Sequence, residues 1–216
     1  ILQCRKLNKT PILVGGTGLY FKALTEGLVN IPKIPINFRN KVRNLHKRIG
    51  QKKFFQKLLQ IDPLIKDRIN SLDVQRSLRA FEIKSYTKKS MNSWFKNNTS
   101  DYSHNDFFKI CIDFPRKDLI ERINKRSENM IKLGAILEVK KFIKLRVPKN
   151  KSLSKAIGIS EIKQYLQKKI QTEQLIEKIS IKTRQYAKRQ STWARGHMKD
   201  WNKVNPVGLD KLLKKI

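Results

Sequence analysis

Four residues near the start of the chain, Gly15, Gly16, Thr17 and Gly18, have the types and spacing of a ligand-binding turn. Glycine adopts backbone angles that other residues resist, so such a turn can bring several N–H groups close to an anion, with the threonine hydroxyl among them. The turn lacks the lysine of a Walker A loop and the spacing of a dinucleotide-binding loop. From these residues alone, it either cradles a phosphate-bearing ligand or only joins two elements.

A predicted helix that follows Asp73 carries an amide and two guanidinium groups on one side. The Asp73 carboxylate is suited to cap the helix, and Gln75, Arg76 and Arg79 follow at spacings that place them on a shared side. These three residues form either an edge that faces RNA or an ordinary solvated helix face.

A second pair of arginines lies on a later predicted helix. Arg122 and Arg126 are four residues apart and therefore share one face. They could bind a pyrophosphate group, or they could pair with Glu121 or Glu128 of the same helix.

The last predicted helix carries Arg184, Lys188 and Arg195 near one line, with Trp193 close by. Basic groups interleaved with an aromatic ring are typical of single-stranded RNA recognition, because phosphates bind the charges and bases stack on the ring. The alternative is a solvated, lysine-rich helix end with Trp193 in the core.

These residues need a folded core to position them. The apolar run Ile12–Val14 has no polar alternation, which predicts a central strand of a parallel sheet that is covered on both faces and leads through the glycine turn into a helix. The stretch Phe107–Asp113 predicts another strand of the same sheet. Strands separated by helices are typical of an α/β fold.

A helical segment separates the two predicted strands. Pro32 and Pro35 bracket a linker, and a helical pattern then continues, with breaks at Gly50 and at Asp62–Pro63, until a polar stretch over 97–105. We therefore predict core residues 1–34, an inserted helical domain at 35–98 and a resumed core at 99–216.

The resumed core is predicted to be mainly helical. A long helix begins at Arg116 and ends or bends at Gly134, and a polar loop covers 149–154. The last helix begins at Thr172 and runs to Arg195, and Gly196 is the residue predicted to stop it.

The charge balance is strongly basic. The 216 residues include 49 Lys and Arg against 17 Asp and Glu, a formal net charge of +32. Such an excess indicates a polyanionic partner. However, 35 of these residues are lysines and 14 are arginines, so part of the excess is explained by the codon bias of an A+T-rich genome.

Cysteine and histidine usage excludes several classes of site. Cys4 and Cys111 have no paired spacing, and the three histidines lie far from them and from one another. The pattern predicts no zinc site or other protein-bound metal and no disulfide framework, which favours a reducing cytoplasm. No apolar run is long enough for a membrane span, and no signal peptide is visible.

Three stretches together resemble bacterial tRNA dimethylallyltransferases, the isopentenyl-tRNA transferase family. They are PILVGGTGLYFKAL at 11–24, DVQRSLRAFEI at 73–83 and TRQYAKRQSTWAR at 183–195, with supporting matches at 122–139 and 156–162. The resemblance covers nearly the whole chain in the family's order. It implies a P-loop kinase-like parallel-sheet α/β core with an inserted all-α tRNA-binding domain.

The resemblance also implies a reaction. A dimethylallyl group passes from dimethylallyl pyrophosphate to N6 of the adenosine 3′ of the anticodon, with Mg²⁺ and release of pyrophosphate. The adenosine is flipped out of the anticodon stem-loop into a channel between core and insertion. A nucleotide-binding (ATP-binding) P-loop belongs to the same family pattern, and we expect a cytoplasmic monomer.

The family's motifs assign roles to residues of this chain. Thr17 matches a residue beside the reacting adenosine, and Arg122 or Arg126 is the candidate for the pyrophosphate. The segments matching the family's tRNA contacts are Arg39; Gln75, Arg76, Ser77, Leu78 and Arg79; Ala156, Ile157, Gly158 and Ile159; and Lys188, Arg189, Gln190, Ser191, Thr192, Trp193, Ala194 and Arg195.

The chain departs from the family pattern at its ends. It begins at Ile1 without Met, and the family's N-terminal P-loop and aspartate general base have no match here. We expect an N-terminally truncated core that is inactive alone. The chain also lacks the cysteine–histidine finger of eukaryotic relatives, which favours a bacterial form.

Two alternatives remain at this point. An adenylate isopentenyltransferase shares the core but acts on a free nucleotide, which needs neither the helical insertion nor a basic terminal helix. A non-catalytic RNA-binding module would not need the glycine turn with Thr17.

Overall fold

The computed structural model describes residues 1–95, 100–148 and 151–214. They form two compact units: a sheet unit of Ile1–Gly18 with Phe108–Ile216, and a helical unit of Leu19–Phe107. The predicted end of the insertion at residue 98 and the start of the predicted loop at 149 lie outside the described residues.

The helical unit consists mainly of α-helices. They are α2 (Gly18–Glu26), α3 (Ile36–Ile61), α4 (Val74–Thr87) and α5 (Met91–Phe95), preceded in the chain by α1 (Leu2–Lys6). Helix α3 bends at the predicted break, Gly50, whose φ of +76° is not helical. The bend lets the second half of α3 pack on α4, and the core contains Phe55, Leu58, Ile65, Ile69 and Ala80.

The start of α4 forms as the sequence predicts. The Asp73 carboxylate accepts a hydrogen bond of 2.9 Å from the backbone N–H of Arg76, which satisfies one of the free donors at the helix N-terminus. The cap fixes where α4 begins and therefore which of its side chains are exposed.

The sheet unit consists mainly of helices and contains a small sheet. Its further elements are β1 (Ile110–Ile112), α6 (Arg116–Lys132), α7 (Ala135–Lys144), α8 (Ile159–Leu166), α9 (Thr172–His197), β2 (Asn202–Val204) and α10 (Leu209–Leu213). β1 and β2 pair in parallel, with Ile110 opposite Asn202. Helices α6 and α8 pack on α9, and the core contains Val139, Ile162, Leu175 and Ile179.

The predicted strand at Ile12–Val14 is wrong. These residues are irregular, and Ile12 and Val14 are 78% and 91% exposed. A strand requires a neighbour for its backbone N–H and C=O groups, and β1, the predicted neighbour, pairs instead with β2 among the described residues. An apolar run predicts burial but does not supply the partner strand.

The predicted stop of the last helix at Gly196 is also wrong. Helix α9 continues through Gly196 to His197, and Met198 follows it as the cap residue. Gly196 does not adopt the positive φ that makes glycine a helix terminator. No described helix is long and apolar enough to cross a membrane.

Candidate functional site

The glycine turn lies against the C-terminal half of α9. The side-chain amide of Gln190 donates a hydrogen bond of 2.7 Å to the carbonyl oxygen of Gly16. A Cβ atom on Gly16 would overlap that amide, and one on Gly18 would lie within 2.6 Å of three ring carbons of Trp193. These two glycines therefore provide space for α9.

This contact corrects the backbone argument made from the sequence. None of Gly15, Gly16 and Gly18 has a positive φ, so their conformation is open to other residues. Glycine is needed at position 18 because the rigid ring of Trp193 approaches it closely, whereas the flexible Gln190 side chain beside Gly16 can move. The turn leaves Thr17 exposed.

Trp193 contacts neighbours on two sides. Its ring lies against Gly18 and stacks on His197, with ring centroids 4.5 Å apart and planes inclined by 7°. The ring is half-buried. It therefore belongs neither to a solvated helix end nor to a closed core, and it fixes the turn beside α9.

The remaining residues of the predicted α9 segment form a basic, largely exposed surface. The guanidinium of Arg189 lies 5.6 Å from the ring centre of Tyr186. Exposed side chains on this segment are Lys188, Arg189, Ser191, Thr192 and Arg195, whereas Ala194 is half-buried. The structure thus places exposed cations on the same helix that holds the Thr17 turn.

The arginines of α6 are exposed. The guanidinium of Arg122 lies 4.7 Å from the ring centre of Phe114, and Arg126 is exposed on the same helix. Arg184 of α9 donates to the Asn124 side chain over 3.4 Å, which links α9 to α6.

The predicted segment Ala156–Ile159 forms a turn held by a buried carboxylate. Glu161 is 2% exposed, and it accepts a hydrogen bond of 2.9 Å from the N–H of Gly158 and another from the Lys182 ammonium. Gly158 has a φ of +102°, which favours glycine. Ala156 and Ile157 are exposed beside it.

The predicted segment Gln75–Arg79 divides into exposed and buried side chains. Gln75 and Arg76 are exposed, and Leu78 and Arg79 are half-buried. Ser77 is fully buried; its hydroxyl donates to the Asp73 carbonyl over 2.7 Å. The Ser77 side chain therefore stabilises the first turn of α4 and cannot reach a ligand from this position.

A cluster of arginines surrounds a buried glutamate in the helical unit. Arg39, Arg43 and Arg79 all lie within 4 Å of the Glu82 carboxylate, at distances of 3.3, 3.9 and 3.6 Å. Arg39 and Arg79 also line an open pocket of about 640 Å³ whose other lining residues are Ile31–Ile36. Arg43 and Glu82 were missed from the sequence, although the i, i+4 spacing of Arg39 and Arg43 indicates a shared face.

Cys111 lies in β1 and has a perturbed thiol. Burial raises the pKa of this thiol, and the nearby Asp113 carboxylate raises it further. Within the described ranges, no group of three or more His, Cys, Asp or Glu side chains could hold a metal ion.

Comparison with known proteins shows the family. The model described as IPP transferase matches residues 1–197. The chain is 55% identical over 216 residues to a tRNA dimethylallyltransferase of Pelagibacter ubique, covering all of this chain and 69% of that protein. It is 41% identical over 195 residues to the Rickettsia massiliae tRNA dimethylallyltransferase, covering 89% and 53%. The chain belongs to the IPP transferase family and spans about half to two thirds of these relatives' length.

Solved structures show the same fold. A tRNA isopentenylpyrophosphate transferase from Staphylococcus epidermidis superposes with a TM-score of 0.56 at 26% identity, over 99% of this chain and 71% of that one. A eukaryotic dimethylallyltransferase superposes with a TM-score of 0.68 at 24% identity, over 89% and 49%. These structural likenesses confirm the α/β fold predicted from the sequence.

Proposed function

We propose that this protein transfers a dimethylallyl group from dimethylallyl pyrophosphate to N6 of the adenosine 3′ of the anticodon in tRNA. Its family membership over residues 1–197 supports the reaction class. The observation that carries the assignment to these residues is the hydrogen bond from Gln190 to Gly16, which holds the Thr17 turn against the basic end of α9. One helix thereby supports both a phosphate-binding surface and the proposed adenosine-binding turn.

The chain's own residues have three roles in this proposal. The Thr17 hydroxyl lies beside the adenosine and orients N6 by hydrogen bonding. Lys188 and Arg195 of α9 bind phosphates of the anticodon stem-loop. Arg122 or Arg126 stabilises the negative charge that develops on the leaving pyrophosphate, which is the transition-state interaction that raises the rate.

The proposal also covers the location of the protein, its oligomeric state and its cofactor. We place the protein in the cytoplasm as a monomer, with a core related to P-loop kinases. Mg²⁺ and the P-loop are features that the family resemblance implies. The proposal for this chain rests on Thr17 and on its basic surfaces.

A chimera tests the proposal directly. The stretch of the Pelagibacter relative that matches this chain is replaced by residues 1–216, and transfer of labelled dimethylallyl groups to unmodified tRNA is measured. We expect label in tRNA, with a large loss of rate for Thr17→Ala and retention for the matched control Thr10→Ala, which lies outside the turn.

Two outcomes would contradict the proposal. Label on free AMP in preference to tRNA would place the protein with adenylate isopentenyltransferases. Salt-sensitive tRNA binding without any transfer would leave a binding module, because phosphate contacts alone explain such a salt dependence.

A further inference from the structure

One buried carboxylate holds three arginines in the helical unit. The Glu82 side chain is only 3% exposed, and the Nε atoms of Arg39 and Arg43 and the Nη1 atom of Arg79 surround its two oxygens. Two of these arginines come from α3 and one from α4. The carboxylate therefore joins the basic side chains of two helices into a single cluster.

The cluster carries more positive charge than the glutamate neutralises. Three guanidinium groups face one carboxylate, so two positive charges remain, and the arginine side chains are 37–46% exposed. The Nε atom of Arg39 is buried and faces the Glu82 carboxylate at 3.3 Å. The positive charge that remains on the exposed parts of the three arginines favours an added anion.

We infer that Glu82 is a positioning residue that holds Arg39, Arg43 and Arg79 as a fixed set of cations for phosphodiester groups of RNA. The inference rests on the proposed function, which supplies the RNA. Planar guanidinium groups bind phosphate oxygens in pairs when their orientation is fixed, and fixing that orientation before binding reduces the entropy lost on association. The pocket beside Arg39 and Arg79 gives the phosphates access.

The substitution Glu82→Gln in the full chain separates positioning from charge. It keeps the shape of the side chain but removes the anion, so simple electrostatics predicts tighter RNA binding. Positioning predicts the opposite: about tenfold weaker binding of an anticodon stem-loop RNA, with the log–log salt slope shallower by about one for each arginine that leaves a phosphate. Fluorescence anisotropy at several salt concentrations measures both quantities.

Two further variants control for general effects. Glu26→Gln makes the same charge change on α2, where Glu26 pairs with Lys22 at the surface, and it should leave binding unchanged or tighter. Arg43→Lys leaves Glu82 in place and keeps the charge but loses the planar group, so it should weaken binding several-fold. Thermal melts confirm that each variant is folded.

A combined variant tests whether Glu82 acts through the arginines. In a background with Arg39→Gln, Arg43→Gln and Arg79→Gln, the effect of Glu82→Gln on RNA affinity should nearly vanish, because all three of its partners are gone. An equally large loss in that background would overturn the inference, as would unchanged or tighter binding by Glu82→Gln alone.

A measurement without RNA keeps this inference separable from the proposed function. NMR signals of arginine Nε–Hε groups should show three ordered side chains in the wild type and mobile ones in Glu82→Gln. Ordered signals in both would refute positioning. If the wild type bound no stem-loop RNA, the proposed function would fail and the RNA part of the inference with it.

Discussion

Replacement of Gly18 by alanine tests the packing of the glycine turn on α9. The new Cβ would lie within 2.6 Å of three ring carbons of Trp193, and the ring cannot easily move because it also stacks on His197. Overpacking of this kind costs about 1–3 kcal/mol. Gly18 is the first residue of α2, where alanine gains little of the ~1 kcal/mol of interior helix propensity, so we expect a net loss of roughly 1–3 kcal/mol.

The matched control is Gly196→Ala in the same unit. Gly196 lies inside α9, and a Cβ there would meet nothing within 4 Å. Alanine should therefore stabilise the helix by up to ~1 kcal/mol. For a chain of this size each kcal/mol moves the melting temperature by about 2–4 °C, so the two glycine variants should shift in opposite directions in far-UV circular dichroism melts.

A second background decides whether the ring is the cause. With Trp193→Leu the obstacle is smaller, and adding Gly18→Ala should then cost little. A Gly18→Ala protein that melts at or above the wild-type temperature would refute the packing argument. So would an equal loss in the Trp193→Leu background.

Three other expectations follow from single contacts. Asp73→Ala removes the cap of α4 and should cost about 1 kcal/mol, seen as a melting temperature lowered by about 2–4 °C; an unchanged value would show that the cap is dispensable. Lys182→Met leaves the buried Glu161 carboxylate without its cation and should cost roughly 1–3 kcal/mol in chemical denaturation, most of it recovered by adding Glu161→Gln. Because its pKa is raised, the Cys111 thiol is more protonated at a given pH, so its alkylation by iodoacetamide should reach half-maximal rate above the pH expected for an ordinary cysteine; a midpoint at or below that pH would contradict the burial.

Much of the helical unit could be predicted because its signals are local. The Asp73 cap and the Gly50 break each depend on a few adjacent residues, and both are confirmed. The apolar residues Phe54, Phe55 and Leu58 recur at helical spacing in the sequence, and all three are buried. Local spacing is sufficient when a helix packs against the next helix in the chain.

The rest of the fold depends on residues that are distant in sequence. β1 pairs with β2, a short polar strand with little signal of its own, and no local pattern distinguishes that pairing from one with Ile12–Val14. The contact between Gly16 and Gln190 joins residues 174 positions apart. Sequence patterns indicated that the glycine turn and the end of the last helix are candidate binding segments, but not that they contact each other.

In the candidate site, too, local features could be predicted from the sequence and contacts between distant residues could not. The exposed Arg76 and the arginines of α6 were identified as possible anion-binding groups from helix spacing. The burial of Ser77 and the gathering of three arginines around Glu82 were not, because both depend on how α3 lies against α4. Helix spacing predicts which side chains share a face, but not which neighbour covers that face.

The sheet unit is discontinuous in the chain, and this has a consequence during protein synthesis. The helical unit is one continuous segment that is complete at residue 107, whereas the glycine turn must wait for Gln190. At ribosomal rates of about 5–20 residues per second, that wait is roughly 10 to 35 seconds. Throughout it, the Gly16 carbonyl lacks its Gln190 donor and Gly18 lacks the Trp193 ring, so the turn gains these contacts only after the C-terminal half of α9 is made. A slower ribosome would lengthen that wait without changing the folded protein.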